Sequence, residues 1–267
     1  MKNKADSMRG VVNYHAVNEK NDYSMSVDNE NNEVLPDVDT TEVALHDPRD
    51  GEELKFSKCG LEYSHYPSEV REYADFLEEN DKIIYFQEIE MLLKMKLDDV
   101  EEVFVFDYTI RSNKRVNRKP ARHVHVDYTE HSAEKRMRVM IGDERAEDWM
   151  KDGGHYGIVN VWRPLDYPVE KDPLGFIDPA STTPEDWHVL KIGRSDRVGV
   201  IYGVEYRMNH RWLVLDKMEP AMVWIFNQFD SHGLPGVPHS AVSLVAGDHQ
   251  ARVRRSIECR VLVRYHH

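Results

Sequence analysis

Residues 122–129 read Arg-His-Val-His-Val-Asp-Tyr-Thr, and they alternate in the way that is typical of a β-strand. Because side chains two positions apart lie on the same face of a strand, His123, His125 and Asp127 would project to one side. Two imidazoles and a carboxylate on one face of an octahedron are the ligand set of non-haem Fe(II) sites, which leave the opposite face open. The stretch therefore predicts part of an iron site and leaves a further ligand and a co-substrate anchor to be found.

The size and charge of the chain limit what it can be. Its 267 residues fit one domain, and its formal net charge of −13 argues against nucleic acid or an anionic membrane as a partner. Residues 1–9 contain no apolar secretory region, and no stretch approaches the roughly 20 apolar residues that span a bilayer. Cys59 and Cys259 are too few for a disulfide framework or an all-cysteine zinc site. We therefore expect a soluble, cytoplasmic protein with reduced thiols.

Helix signals lie between residues 67 and 97. Residues 68–79 are charged and lack Gly and Pro, which predicts a first helix. A second helix capped by Asp81 would bury one face, because its apolar residues recur at helical spacing: Tyr85, Ile89, Leu92 and Leu93. We expect these helices to support a sheet.

The rest of the chain is predicted to be mostly β. Strand patterns cover residues 103–110, 158–162, 198–208, 212–218, 221–229, 241–246 and 256–265, with Gly and Pro between them. Such a series favours a mainly β (α+β) protein built as a double-stranded β-helix, or jelly roll. We expect a polar, partly extended N-terminal extension over residues 1–45 and a single β-helix domain over residues 46–267.

The missing ligand should be a histidine that a later strand delivers. His239 precedes the strand predicted at residues 241–246, where the rim of a barrel would lie. Its rivals, His232 and His249, fall in a Gly-rich turn and a polar loop. His239 is therefore the preferred partner of the His-x-Asp pair.

A 2-oxo acid that chelates Fe(II) needs a planar bidentate cation for its distant carboxylate, which Arg supplies and Lys does not. Arg254 and Ser256 open the last predicted strand, and on one face of it they would form such a clamp. Arg255 competes for the same role. The alternative is that these arginines, with Arg252, Arg260 and Arg264, only solvate the strand.

At this point several motifs resemble those of a known family. They occur in this order: His-Val-His-Val-Asp-Tyr-Thr at residues 123–129, Asn-Val-Trp-Arg-Pro-Leu at 160–165, Asp-Pro-Leu at 172–174 with Asp178, His-Arg-Trp at 210–212, Asp-Ser at 230–231, His239, and Arg-Arg-Ser-Ile-Glu-Cys-Arg at 254–260. The chain is similar, from about Ile83 to its end, to the CmcJ/AsaB/gibberellin desaturase-like family of fungal and bacterial oxygenases.

The resemblance implies a double-stranded β-helix that uses Fe(II), 2-oxoglutarate and O2. It places His125, Asp127 and His239 as catalytic iron ligands, with Arg254 and Ser256 holding 2-oxoglutarate. The expected reaction removes hydrogen from an unactivated C–H bond of a small secondary-metabolite or amino-acid-like substrate and yields hydroxylation, desaturation or oxidative ring closure.

Asn160 and Arg163 are the candidate substrate-binding residues. If their strand is regular they lie on opposite faces, so at most one faces the metal readily. Arg163 could bind a substrate carboxylate or, equally, pin a neighbouring loop.

Two other functions are compatible with the same sequence. A cupin-type metal site would use three histidines and a glutamate: His123, His125, Glu130 and His239. A non-enzymatic jelly-roll binding module would use its histidines structurally.

Overall fold

The computed structural model describes residues 8–17, 24–27, 33–34, 37–51, 53–72, 74, 76, 78–111, 120–193, 198–248 and 250–266. Its strands are β1 Arg9–His15, β2 Ser24–Val27, β3 Glu33–Val34, β4 Val38–His46, β5 Leu61–His65, β6 Val100–Arg111, β7 His125–Val126, β8 Tyr156–Pro164, β9 Leu174–Ile177, β10 Trp187–Gly193, β11 Val198–Val204, β12 Trp212–Val214, β13 Met222–Asp230, β14 His239–Ala241, β15 Ser243–Leu244 and β16 Ser256–Tyr265. Its α-helices are α1 Phe56–Cys59, α2 Glu79–Lys96, α3 Glu130–Ile141 and α4 Asp143–Met150.

The strands form two sheets that pack as a jelly roll, as expected. The larger sheet has eleven strands in the order β15-β1-β4-β12-β9-β14-β7-β11-β10-β2-β3, and the smaller has five in the order β5-β13-β8-β16-β6. Aromatic side chains from both sheets fill the space between them, including Phe176 of the larger sheet and Trp162, Trp224 and Phe226 of the smaller. The sheets enclose one open end, where β7 and β14 face β8 and β16.

Helix α2 covers the outer face of the smaller sheet. Its buried apolar residues, which lie at helical spacing, pack against alternate residues of β8, β13 and β16. The predicted second helix is therefore confirmed, although it begins after Glu78, and Asp81 lies in its first turn instead of capping it. The acidic first turn suits the positive end of the helix dipole.

The first predicted helix, over residues 68–79, is wrong where the structure describes it. Residues 68–72 are irregular because the buried side chain of Glu88 on α2 binds them: Ser68 donates its hydroxyl hydrogen to one carboxylate oxygen, and the backbone N–H of Glu69 donates to the other over 2.8 Å. These contacts tie the segment to α2 in a non-helical conformation.

The strand predicted over residues 122–129 is much shorter than expected. Within this stretch only β7 and an isolated bridge between His123 and Asn13 pair as β-structure. The stretch ends at Thr129, which caps α3. The Thr129 hydroxyl accepts a hydrogen bond from the backbone N–H of Ser132 over 3.2 Å, and Ser132 reciprocates. This capping box starts a helix that sequence periodicity had not predicted.

The first 45 residues contribute strands. β1 pairs with β4, which crosses residue 45 and pairs with β12 in the later part of the chain. The division at this position into an extension and a domain stays a prediction. The strands predicted at residues 198–208 and 212–218 are observed as the shorter β11 and β12, which pair with different neighbours. Among the helices that the structure describes, none is both long and apolar enough to cross a membrane.

Candidate metal centre

Three side chains converge at the open end of the jelly roll. One potential ligand atom from each of His125, Asp127 and His239 lies within 4.8 Å of the others. Among the described residues, these three form the cluster of side chains that could hold a metal ion. β7 and β14 are paired so that His125 stands directly opposite His239, with ring centroids 4.4 Å apart. Asp127 follows β7, and its Oδ1 lies 3.3 Å from Nε2 of His125. The structure thus brings together the three predicted ligands.

The two imidazoles are held in the form that can bind a metal. Nδ1 of His125 lies 2.7 Å from the backbone oxygen of His123, and Nδ1 of His239 lies 3.2 Å from that of Val237. Because a carbonyl oxygen only accepts, both Nδ1 atoms carry a proton, which leaves Nε2 of each ring as the atom that would bind a metal. Such backbone partners commonly orient histidine ligands of metals. The residues therefore fit a divalent metal ion.

The protonation states of His239 and Asp127 agree with this fit. Burial lowers the pKa of His239 to about 3, so this ring is neutral at neutral pH. Burial also acts to lower the pKa of His125, but the hydrogen bond to Asp127, the charge of Asp127 and the bond to the His123 backbone together outweigh burial and raise that pKa. Burial opposes ionisation of Asp127, yet the charge of Arg260 and the bond to His125 hold its pKa well below the usual range. A neutral imidazole and an ionised carboxylate are what metal binding requires.

The second oxygen of Asp127 is already engaged. Its Oδ2 accepts hydrogen bonds from Nδ2 of Asn160 over 2.8 Å and from Nε of Arg260 over 3.2 Å, and its backbone N–H donates to Oε1 of Gln228 over 2.7 Å. Arg260 is fixed in turn by Glu258, at 2.7 Å. Oδ1 therefore remains as the oxygen that points toward His125.

Arg260, Gln228 and Glu258 are site residues that the sequence reasoning missed. The sequence pattern offers Arg260 only as one of several arginines that solvate the last strand. One signal could have revealed it, because Arg254, Ser256, Glu258 and Arg260 alternate along β16 and so share one face. Gln228 carries no signal of this kind, since its contact with Asp127 joins segments that are distant in sequence.

A small inner cavity adjoins the two histidines. His125, His239, Arg254, Glu258 and Arg260 are among the residues that line it. Arg254 is buried: one terminal nitrogen donates to the backbone oxygen of Asp172 over 2.6 Å, and its Nε has no hydrogen-bond partner among the described residues. The same is true of the hydroxyl of the buried Ser256. The unpartnered Nε of Arg254 thus lies at a cavity that His125 and His239 also line, as a site for an anion would leave it.

Arg255 and Arg163 lie away from the triad. Arg255 forms an ion pair of 2.7 Å with Asp166. Arg163 lies on the opposite face of β8 from Asn160, where it donates to the backbone oxygen of Tyr66 over 3.0 Å and stacks on Tyr85. The structure therefore brings Asn160, but not Arg163, to the candidate metal site. The contacts of Arg163 instead hold the segment before α2 in place.

The cupin arrangement is not assembled. Glu130 is exposed at the start of α3, and the buried ring of His123 packs edge-on against His15, with centroids 5.7 Å apart. His232 is exposed and bonded to the backbone oxygen of Gly153. His249 lies outside the described residues.

A larger outer cavity of about 380 Å3 opens on the other side of Asp127 and Arg260. One wall is a face of α3, the opposite wall comes from β10 and β11, and Tyr128 contributes to the lining. Burial raises the pKa of Tyr128 to about 12, so its phenol stays protonated. Arg260 lines both cavities and so lies between them.

Comparison with known proteins places this geometry in context. Residues 6–264 match the model of the family described as oxidoreductase/YMDC permease-like domain. The chain is 30% identical over 209 residues to oxidoreductase clz16 of Cochliobolus lunatus, which covers 69% of this chain and 70% of that protein. It is 26% identical over 285 residues to the alpha-ketoglutarate-dependent dioxygenase phiK of a fungal species, with 98% and 99% of the two chains covered.

A solved structure has the same fold. The iron and alpha-ketoglutarate-dependent endoperoxidase NvfI superimposes with a TM-score of 0.82 at 21% sequence identity, over 98% of this chain and 100% of that one.

Proposed function

We propose an activity for this chain on the premise that it belongs to the oxidoreductase/YMDC permease-like domain family, whose model covers nearly all of it. The chain is a non-haem Fe(II)- and 2-oxoglutarate-dependent oxygenase that oxidises an unactivated C–H bond of a small molecule. Relatives named as alpha-ketoglutarate-dependent dioxygenases support this function. The observation that carries it is the convergence of His125, Asp127 and His239 beside a buried arginine.

His125, Asp127 and His239 would hold the iron. Two neutral imidazoles and one carboxylate supply a single negative charge to Fe(II) and leave coordination positions for other molecules. When bound, the metal would supply the oxidising power of 2-oxoglutarate and O2, which become succinate and CO2. The second oxygen atom either enters the substrate as C–OH or leaves as water with two substrate hydrogens, which gives a double bond or a ring. Asn160 and Arg260 hold Oδ2 of Asp127, so this carboxylate keeps one orientation.

Arg254 would bind the distant carboxylate of 2-oxoglutarate, with Ser256 on the same face of β16. Its guanidinium can form two parallel hydrogen bonds, and burial strengthens them because water does not compete. The inner cavity measures only about 20 Å3, room for roughly one water. We therefore expect the lining side chains to move apart when the co-substrate enters.

The outer cavity would take the substrate. It reaches Asp127, and its size falls within the range of small-molecule sites. Arg260 lies between it and the inner cavity, so substrate and co-substrate approach the metal from different directions. We place the enzyme in the cytoplasm, since Cys59 and Cys259 are both free thiols.

The decisive experiment is an anaerobic titration of the purified protein with Fe(II) and 2-oxoglutarate. We expect the weak visible charge-transfer absorption of an iron–2-oxo acid chelate, and its loss in His125→Ala. Arg255→Gln is the matched control, since Arg255 is paired with Asp166 away from the triad, and it should keep the absorption. A folded wild-type protein that binds iron but never develops this band would refute the proposed function.

A further inference from the structure

The outer cavity has two walls of different chemistry. The wall formed by β10 and β11 is apolar: Ile192 and Ile201 are 9% and 7% exposed, and Val200 lies beside them. The facing wall is one side of α3, where Lys135 and Arg136 lie among the lining residues. The cavity can therefore accept an apolar skeleton only along one side.

The cationic wall is a regular helix face. Residues 131, 132, 135, 136 and 139 recur at the three- and four-residue spacing of one side of α3, and all of them line the cavity. The opposite side buries Ala133 and Met137 in the core. The helix thus uses its apolar side for packing and turns His131, Lys135 and Arg136 toward the open space.

Lys135 and Arg136 have no carboxylate within ion-pair distance among the residues that the structure describes. The absence of an ion pair contrasts with Arg138 on the same helix, which binds Glu134 at 2.9 Å and Glu147 at 2.7 Å. Glu134, which lies next to Lys135 in sequence, is therefore already engaged. In a chain of net charge −13, two cations facing one cavity without an ion pair mark a local positive field.

The acidic groups at the floor of the cavity do not cancel this field. Asp127 is bound by Arg260 at 3.2 Å and faces the metal site, and Asp107 is bound by the same arginine at 3.3 Å. Tyr128 contributes a phenol that stays protonated. Positive charge thus accumulates on α3, away from the metal ligands, while the floor is internally compensated.

We propose that the substrate of this site is an organic acid, a carboxylate on an apolar skeleton, whose anionic end is bound by Lys135 and Arg136. The inference rests on the proposed function and specifies its substrate class. The skeleton lies against Ile192, Val200 and Ile201, and the far end of the molecule presents its C–H bond at Asp127. The two cations act as specificity residues, since they touch the part of the substrate that does not react.

The test compares 1-naphthylacetic acid with 1-naphthylacetamide, which share ring and shape but differ in charge. Calorimetric titrations use the full chain loaded anaerobically with Fe(II) and 2-oxoglutarate, so that the inner arginine is already occupied. We expect the acid to bind about tenfold more tightly than the amide, which corresponds to about 1.4 kcal/mol. The preference should shrink as salt is raised, because the contact is partly exposed.

Substitution assigns the preference to the two cations. In the double variant Lys135→Gln/Arg136→Gln, the acid should lose about tenfold in affinity while the amide is unchanged. Arg138→Gln is the control, because it removes one positive charge from the same helix outside the cavity and should keep the preference. Equal binding of acid and amide, no saturable binding of the acid, or a preference that survives in the double variant would each overturn the inference.

The same titrations without iron and 2-oxoglutarate separate this inference from the proposed function. An acid preference that depends on Lys135 and Arg136, in a protein that develops no iron–2-oxo acid absorption when Fe(II) and 2-oxoglutarate are both supplied, would sustain the anion site and refute the oxygenase. The absorption without any acid preference would sustain the oxygenase and refute the anion site.

Discussion

The inner and outer cavities meet at Arg260 but differ in how their charges are arranged. Around the inner cavity, Arg254 and His239 are nearly inaccessible, at 4% and 3% exposed. On the outer cavity, Lys135 is exposed and Val139 is 65% exposed. Electrostatic interactions strengthen as water is excluded. Removing a charged side chain from the inner cavity should therefore cost far more binding free energy than removing one from the outer cavity. The inner region would serve the chemistry common to many substrates, and the outer region the choice among them.

The largest effect is expected from removing a proposed metal ligand. His239→Ala would leave two of the three proposed protein ligands, so the affinity for Fe(II) should fall by more than about 100-fold and turnover should vanish. Anaerobic Fe(II) titration measures this. His232→Ala is the control, since this exposed histidine is bonded to Gly153 away from the site. Unchanged iron binding in His239→Ala would remove this residue from the metal centre.

The next effect concerns the co-substrate clamp. Arg254→Lys keeps the charge but loses the planar fork, so 2-oxoglutarate should bind at least about 30-fold more weakly, a loss of about 2 kcal/mol. The visible absorption measures this when 2-oxoglutarate is titrated into iron-loaded protein. Arg255→Lys, at the adjacent position, should leave the affinity unchanged. The reverse result would mean that Arg255 is the anchor.

Arg260 lies at the boundary and should show an intermediate effect. Arg260→Gln frees Oδ2 of Asp127 from one of its two donors, which should weaken Fe(II) binding about 10- to 100-fold, as is usual for groups that orient a ligand. Arg264→Gln is a control on the same strand, where Arg264 pairs with Glu102 and Asp148 instead. An iron affinity that does not change in Arg260→Gln would show that Asn160 alone orients the carboxylate.

The smallest effect should come from the outer wall. Because Lys135 and Arg136 form no ion pair with a described residue, the double variant Lys135→Gln/Arg136→Gln should change the free energy of unfolding by less than about 0.5 kcal/mol. Urea denaturation measures this, and the iron–2-oxoglutarate absorption should also persist. A loss of stability of several kcal/mol would mean that the two cations serve the fold, and the contrast between the cavities would fail.

Much of the site could be predicted from local pattern. Period-two alternation placed His125 and Asp127 on one face, and the same rule placed Asn160 and Arg163 on opposite faces of β8. Alternation could not say which face is inward, because that depends on where α2 packs. The helix covers the face that carries Arg163, and so Asn160 reaches Asp127.

The missed features have a common cause. The strand pattern was extended to Thr129, although Thr129 and Ser132 form the capping box that starts α3. Because the sequence patterns do not predict α3, they indicate neither the outer cavity nor a role for Lys135 and Arg136. In the same way, the predicted helix over residues 68–79 is wrong where the structure describes it because Glu88, a side chain about twenty residues away, binds the start of this segment in a non-helical conformation.

The sequence by itself determined the fold class, the family and three residues that can converge on one ion, because these depend on periodicity and residue type along the chain. Only the tertiary structure decided that Arg254 faces inward while Arg255 pairs with Asp166, and that Arg260 binds Asp127. It also decided that a face of α3 encloses a second cavity. Such contacts join segments that are distant in sequence, by 89 residues for Arg255 and Asp166 and by 133 for Arg260 and Asp127. Their geometry is set by how the sheets and helices pack.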